Sequence, residues 1–256
     1  DAFSKIYLFA SDTTTEQSKF PDKKVLVNRF DKELSNWEKT LGLIGIFSTI
    51  FWKEYWECKK HLHKWPKFLE IKVILNSLTL AHKSNNFVKK VLKNEPDCDL
   101  YYYSYWCNEP VIGCSILKKQ NKKINLFTRM HAYDLYYERH DPKYLPFRSL
   151  ISSQANKIFF ISQQGLNYFL QKNNSSSSIL NLAKLGVVNN YNVQNKNKIE
   201  GKEFTLLSCS GIIPLKRVDL IVDVVKTIGK TMKISWVHFG WGPIEQEIFQ
   251  YARSEL

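Results

Sequence analysis

The chain has 256 residues, of which 44% are apolar, 24% charged and 14% aromatic, which excludes wholesale disorder and allows one large domain or two smaller ones. Lys and Arg outnumber Asp and Glu by 37 to 24, and the formal charge of +13 directs attention to nucleic acid, an acidic membrane face or phosphate-bearing substrates. Five cysteines (Cys58, Cys98, Cys107, Cys114 and Cys209), odd in number and without framework spacing, argue for a reducing compartment and a cytoplasmic location.

Along the chain, residues 5–10 and 25–30 are expected as short strands, and a strand so soon after Asp1 gives no signal-peptide pattern. Residues 32–60 and 67–93 are expected as helices, divided at Trp65-Pro66. The longest apolar run, LGLIGIFSTIFW over 41–52, has 12 residues, short of the roughly 20 that span a bilayer. It reads either as a buried helix or as a membrane-facing one, the latter because Trp52, Tyr55 and Trp56 lie beside Lys53, Lys59 and Lys60. Cys58, His61 and His63 are potential metal ligands, but no second cluster completes a set of four, and no metal is assigned.

Strands are expected next at 100–105, 124–128, 157–161 and 179–185, with helices from about Pro110, over 146–156 and over 162–172. A polar stretch, 189–202, contains almost no residue of buried type. The expected organisation is therefore an N-terminal domain over 1–190, a linker over 191–202, and the start of a second domain over 203–256. That second part reads strand 204–209, helix 215–229, strand 234–239, helix 243–254. Strands alternating with helices imply crossover connections, so the fold class is α/β with a mainly parallel sheet.

In open parallel sheets, ligands sit beyond the carboxyl ends of the strands. After the strand ending at Cys209 comes Ser-Gly-Ile-Ile-Pro-Leu-Lys-Arg, where Lys216 and Arg217 at a helix entrance suit a diphosphate. The plain alternative is a solvated Lys-Arg pair. After the next strand comes His-Phe-Gly-Trp-Gly-Pro, where Gly240 and Gly242 let backbone approach a ligand closely, although a tight turn needs no ligand.

The order Ser210-Gly211-Ile212-Ile213-Pro214-Leu215-Lys216-Arg217, then Val237-His238-Phe239-Gly240-Trp241-Gly242-Pro243, resembles the start of the donor domain in family-4 glycosyltransferases of the GT-B fold. Tyr103-Ser104-Tyr105-Trp106 and Phe127-Thr128-Arg129-Met130-His131-Ala132-Tyr133-Asp134 are similar to the members that build bacterial surface and capsular polysaccharides. The resemblance covers about 100–250, and implies a chain cut off at both ends relative to the family.

It implies two Rossmann-like domains facing a cleft, the second incomplete. The activity implied is retaining transfer of a sugar from a nucleotide-diphosphate sugar to a glycan or lipid-linked acceptor. In that scheme Lys216 contacts the donor diphosphate, with Arg217, Gly211, Gly240 and Gly242 around it. His131 serves the transfer beside the donor sugar, and Arg129 and Asp134 shape the acceptor side. No cofactor or metal is implied, because protein cations stabilise the leaving diphosphate.

Two departures from the family pattern bear on this. Gly211 stands where the family often has arginine, and Trp241 replaces a small or acidic residue. Glu247 and Glu255 imitate the spacing of the family's paired glutamates but fall on the wrong helix, and no role is assigned to them. A non-catalytic or vestigial binding module is the alternative. Nucleic acid is not expected, since no basic cluster interleaved with stacking aromatics and no known module is present. Peripheral contact with the anionic inner face of the cell membrane is expected instead, through residues 41–56 and the positive charge.

Overall fold

The computed structural model describes residues 3–10, 24–29, 33–173, 175–186 and 203–256. The chain divides into two compact units, Asp1–Gly186 and Val187–Leu256. The expected linker, 191–202, lies outside the described residues.

In the first unit, β1 (Ile6–Ala10) pairs in parallel with β2 (Val25–Arg29) as a separate two-stranded ladder. Three helical pieces follow: α1 (Asn36–Gly42), a 3-10 turn over Leu43–Phe47, and α2 (Thr49–Leu62). The single helix expected over 32–60 is thus broken. Glycines at 42 and 45 weaken the helix there, and Ser48 starts a new one by accepting the Phe51 N–H at 3.1 Å. The long α3 (Phe68–Asn94) begins after Pro66, and its Glu70 carboxylate accepts the Lys67 N–H at 3.0 Å.

Four parallel strands form the main sheet in sequence order: β3 (Leu100–Ser104), β4 (Ile124–Met130), β5 (Lys157–Phe160) and β6 (Leu180–Leu182). The last is shorter than expected, because a 3-10 turn takes up Ser177–Ile179. Between the strands lie α4 (Glu109–Lys118), α5 (Arg148–Gln154) and α6 (Gln163–Lys172). Residues 110–117 of α4 are all buried, so this helix is the centre of the core. It reaches α3 closely at Gly113, where an added Cβ would stand 2.4 Å from the Ala81 carbonyl oxygen.

Along β4, residues alternate between fully and partly buried. Ile124, Leu126 and Met130 enter the core, whereas Asn125, Phe127 and Arg129 face outward, so only one face of the sheet is well covered within this unit. On the outer face, Tyr101 stacks parallel to Phe127 at 6.3 Å between ring centres.

The β1–β2 pair shares no ladder with the main sheet. It is fastened to α3 instead: Phe9 stacks on Phe87 at 4.7 Å, the Tyr7 hydroxyl donates to Glu95 at 3.2 Å, and Lys5 forms an ion pair with Glu95. A cleft of about 960 Å³ lies between β1 and β3, floored by Phe87, Val88, Val91 and Leu92 and reaching Tyr105 and Trp106.

The second unit is one small βαβα assembly: β7 (Glu203–Cys209), a 3-10 turn over Pro214–Lys216, α7 (Val218–Gly229), β8 (Lys233–Phe239) and α8 (Glu245–Glu255). Its strands pair in parallel from Glu203↔Lys233 to Cys209↔Phe239. Only Ile212, Val218, Val222 and Val225 are buried among its described side chains, which is the slight core expected of so short a segment. All described strand pairs in both units are parallel, which gives an α/β fold.

Candidate functional site

In the first unit, the carboxyl ends of β3 and β4 lie side by side, because Ser104 pairs with Thr128. The chain leaves β3 through Tyr105, Trp106 and Cys107, and leaves β4 into His131. This brings the His131 ring to 4.6 Å from the Tyr105 ring and 4.2 Å from the Trp106 ring. His131 is 7% exposed, and neither Nδ1 nor Nε2 has a hydrogen-bond partner. Burial lowers its pKa from the usual histidine value, against the opposing pull of Asp134. Arg129, two residues earlier and on the strand's outer side, places its guanidinium 5.9 Å from the Tyr105 ring centre and leaves Nε buried without a partner.

Asp134 is buried, with both carboxylate oxygens on backbone amides. Oδ1 accepts the His131 N–H at 2.5 Å and Oδ2 the Cys107 N–H at 2.6 Å. It therefore joins the two strand ends beneath the histidine. Burial raises its pKa, and the two amides hold it down. The buried Arg148 supports the same loop, donating to the Asp134 carbonyl oxygen at 2.8 Å and contacting the Cys107 Sγ at 3.6 Å.

Arg148 is set by a residue that the sequence pattern does not single out. Glu54 on α2 accepts the Tyr144 hydroxyl and the Phe147 N–H, both at 2.5 Å. Phe147 has a φ of 62°, in the left-handed region, and this second hydrogen bond fixes the entrance to α5 where Arg148 begins. Burial pushes the Glu54 carboxyl up to about 7, while the hydrogen bonds from Tyr144 and Phe147 oppose the shift. Glu54 could not be found from periodicity, since it looks like one more charge in a Lys-rich helix. Tyr105 and Trp106, legible in the sequence as part of the family-like Tyr-Ser-Tyr-Trp segment but without an assigned role, form the walls around His131.

A second hollow of about 400 Å³ opens beside this network, lined by Trp106, Asn108, Glu109, Tyr133 and His140 among others. Cys58 is buried, His61 stacks on Tyr137 at 4.1 Å, and His63 caps α2 with a φ of 54°. Among the described residues, no group of three His, Cys, Asp or Glu is placed to hold a metal ion.

In the second unit, the turns after β7 and β8 lie against each other at the carboxyl ends of the strands. Ile212 N–H donates to the Trp241 carbonyl at 3.0 Å. A Cβ on Gly240 would stand 1.8 Å from the Ser210 oxygen, and one on Gly242 would stand 2.1 Å from the Ile212 oxygen. Turn-to-turn packing alone thus demands both glycines. Gly211 is different, as an added Cβ there meets only the Trp241 oxygen, at 3.8 Å. Lys216, at the end of the 3-10 turn, is exposed. Arg217 has a φ of 50° and its guanidinium grips Asp219, with nitrogen–oxygen distances from 2.8 Å. Of the two glutamates at family-like spacing, Glu247 is exposed and Glu255 forms an ion pair with Lys226.

No family model and no curated protein matches the chain. Among solved structures, it is similar to TarM of S. aureus, seen as a variant in complex with fondaparinux, α-GlcNAc-glycerol and UDP. That match has 14% identity and a TM-score of 0.46, and covers 69% of this chain and 34% of the other. It is also similar to S. aureus MnaA bound to UDP, with 12% identity, a TM-score of 0.40, and coverage of 99% and 66%. UDP-N-acetylglucosamine 2-epimerase from Rickettsia bellii matches at 13% identity and a TM-score of 0.39, with coverage of 96% and 64%. The chain spans about a third of the length of TarM.

Proposed function

We propose that the protein is a retaining glycosyltransferase segment of the GT-B family-4 type, acting in cell-surface polysaccharide synthesis. A nucleotide-diphosphate sugar is the donor and a glycan or lipid-linked hydroxyl the acceptor. The observation that carries this is His131, an imidazole with both nitrogens unpartnered, buried at a strand's carboxyl end between Tyr105 and Trp106. Aromatic walls around unsatisfied polar atoms suit a sugar, which offers apolar ring faces and hydroxyls together.

In the reaction, the bond from the anomeric carbon to the diphosphate oxygen breaks, its electron pair leaving with the diphosphate. A bond forms from the same carbon to the acceptor hydroxyl oxygen, whose proton passes to the departing phosphate. Lys216 and the adjoining turn neutralise charge on the leaving group, with no metal required. His131 hydrogen-bonds the donor sugar, Arg129 contributes charge to the same wall, and Asp134 positions His131 through its backbone. The protein acts in the cytoplasm. No helix among the described residues is long and apolar enough to cross a membrane.

A second reading, a non-catalytic nucleotide-sugar binding module, is favoured by one observation. Arg217, the cation available to replace the arginine missing at Gly211, is occupied by Asp219. An assay of nucleoside diphosphate release from a panel of nucleotide sugars, with lipid-linked glycans as acceptors, separates the two. Release that is lost in His131→Ala supports transfer. Saturable binding without release identifies the module, and neither binding nor release refutes both.

A further inference from the structure

We propose that the corner between α2 and α3 docks on an anionic lipid bilayer through a tryptophan and lysine patch. This does not depend on the glycosyl-transfer proposal. Trp52, Trp56 and Trp65 are 48%, 48% and 57% exposed, and Phe68 beyond them is 76% exposed. The rings are contiguous: Trp52 meets Tyr55 at 5.5 Å, Tyr55 meets Trp65 at 6.3 Å, and Trp56 meets Trp65 at 5.6 Å. So large an apolar surface on one corner is unusual for a face that meets only water.

Its charge selects the partner. Lys53, Lys60, Lys64 and Lys67 are exposed on the same stretch of chain, and Lys59 places its ammonium 3.5 Å from the Trp65 ring centre. Among the described residues, Lys60 alone of these lysines is offset by an acidic residue of α2. Glu54 is buried against Tyr144 and Phe147, and Glu57 is engaged by Lys60 and by the Ser149 hydroxyl. Indole rings settle at the headgroup level of a bilayer, and each lysine near an anionic surface adds about 1 kcal/mol of attraction. A helix corner with apolar rings outermost and ammonium groups beside them fits that interface, with shallow insertion in place of a span. The sequence run 41–56 pointed to the start of this segment. Within that run Leu43, Ile44, Phe47, Trp52 and Trp56 are exposed while Phe51 faces the core, and the ring contacts extend to Trp65 at the α2–α3 turn.

The test is co-sedimentation of the full chain with vesicles of phosphatidylcholine alone and of phosphatidylcholine mixed with phosphatidylglycerol. Indole quenching by brominated lipids is read in parallel. Expected are binding to the mixed vesicles that weakens with salt, quenching by brominated lipid, and little binding to phosphatidylcholine alone. The pair Trp56→Ala and Trp65→Ala should weaken binding at least about tenfold and remove most of the quenching. Lys53→Glu with Lys64→Glu, both outside the core, should do the same by charge, about tenfold or more at about 1 kcal/mol per lysine, with an unchanged melting temperature. Absence of binding, equal binding to both vesicle types, or retained binding in the folded lysine variant would overturn the proposal. So would retained protection of the tryptophans from brominated lipid, with binding that duplex nucleic acid displaces completely.

Discussion

Asp134 holds His131 by the backbone: its Oδ1 accepts the His131 N–H at 2.5 Å while Oδ2 takes the Cys107 N–H at 2.6 Å. One carboxylate thereby ties the ends of β3 and β4 together and leaves the imidazole unencumbered. Asp134→Asn puts an amide N–H₂ against one of these donors and strands a buried N–H. A loss of about 1–3 kcal/mol is expected, readable in urea unfolding, together with displacement of the His131 ring signals in NMR. Wild-type stability with unmoved signals would remove Asp134 from its positioning task.

His131 itself should show opposite effects on stability and on function. Its nitrogens are desolvated without return, so His131→Leu is expected to stabilise the fold by about 1 kcal/mol while abolishing sugar binding. Thermal unfolding and ligand titration on the same preparation check both halves. A destabilised variant would mean that the histidine serves the core.

Glu54 gives a pH signature. Its folded pKa, about 7, lies above the usual carboxylate value, so the folded state retains a proton that the unfolded state releases. The stability this contributes is full below about pH 4.5 and is lost as pH rises through 7. Buried His131 acts in the opposite sense, its lowered pKa costing stability as pH falls. The difference between wild type and Glu54→Gln isolates the carboxyl. Relative to wild type, the variant should gain stability steadily between pH 4.5 and pH 7, and a flat difference would contradict the burial argument.

The turns of the second unit separate packing from binding. Gly242→Ala drives a Cβ to 2.1 Å from the Ile212 oxygen and should destabilise that unit by about 1–3 kcal/mol. Gly211→Arg has room, should leave the melting temperature within a degree or two, and should tighten nucleoside diphosphate binding about tenfold by a charge-assisted contact. If Gly211→Arg unfolds the unit or leaves affinity unchanged, the diphosphate site lies elsewhere.

Much of this was legible in the sequence, for reasons that differ from residue to residue. The apolar runs KIFFI and FTLLSC marked parallel strands, the first with Ile158 and Phe160 in the core and the second with Phe204 and Leu207 exposed, and Ser162 marked the start of α6 by its cap. The break at 42–48 was obscured because the apolar residues on either side kept a helical density. The separation of β1–β2 from the main sheet could not be read at all, since which strands pair is decided by long-range packing on α3. At the site, His131 stood out by its place after a strand. Glu54 and Arg148 did not, because their importance comes from contacts across about 90 and 14 residues of sequence that no local pattern encodes.

The most direct test of the proposed function is calorimetric titration of the chain with nucleotide-diphosphate sugars, in wild type and in Lys216→Ala. Saturable binding that weakens about tenfold or more in the variant is expected, the cost of one charge-assisted contact to the diphosphate. No saturable binding across the panel, or equal affinity in both proteins, would contradict it.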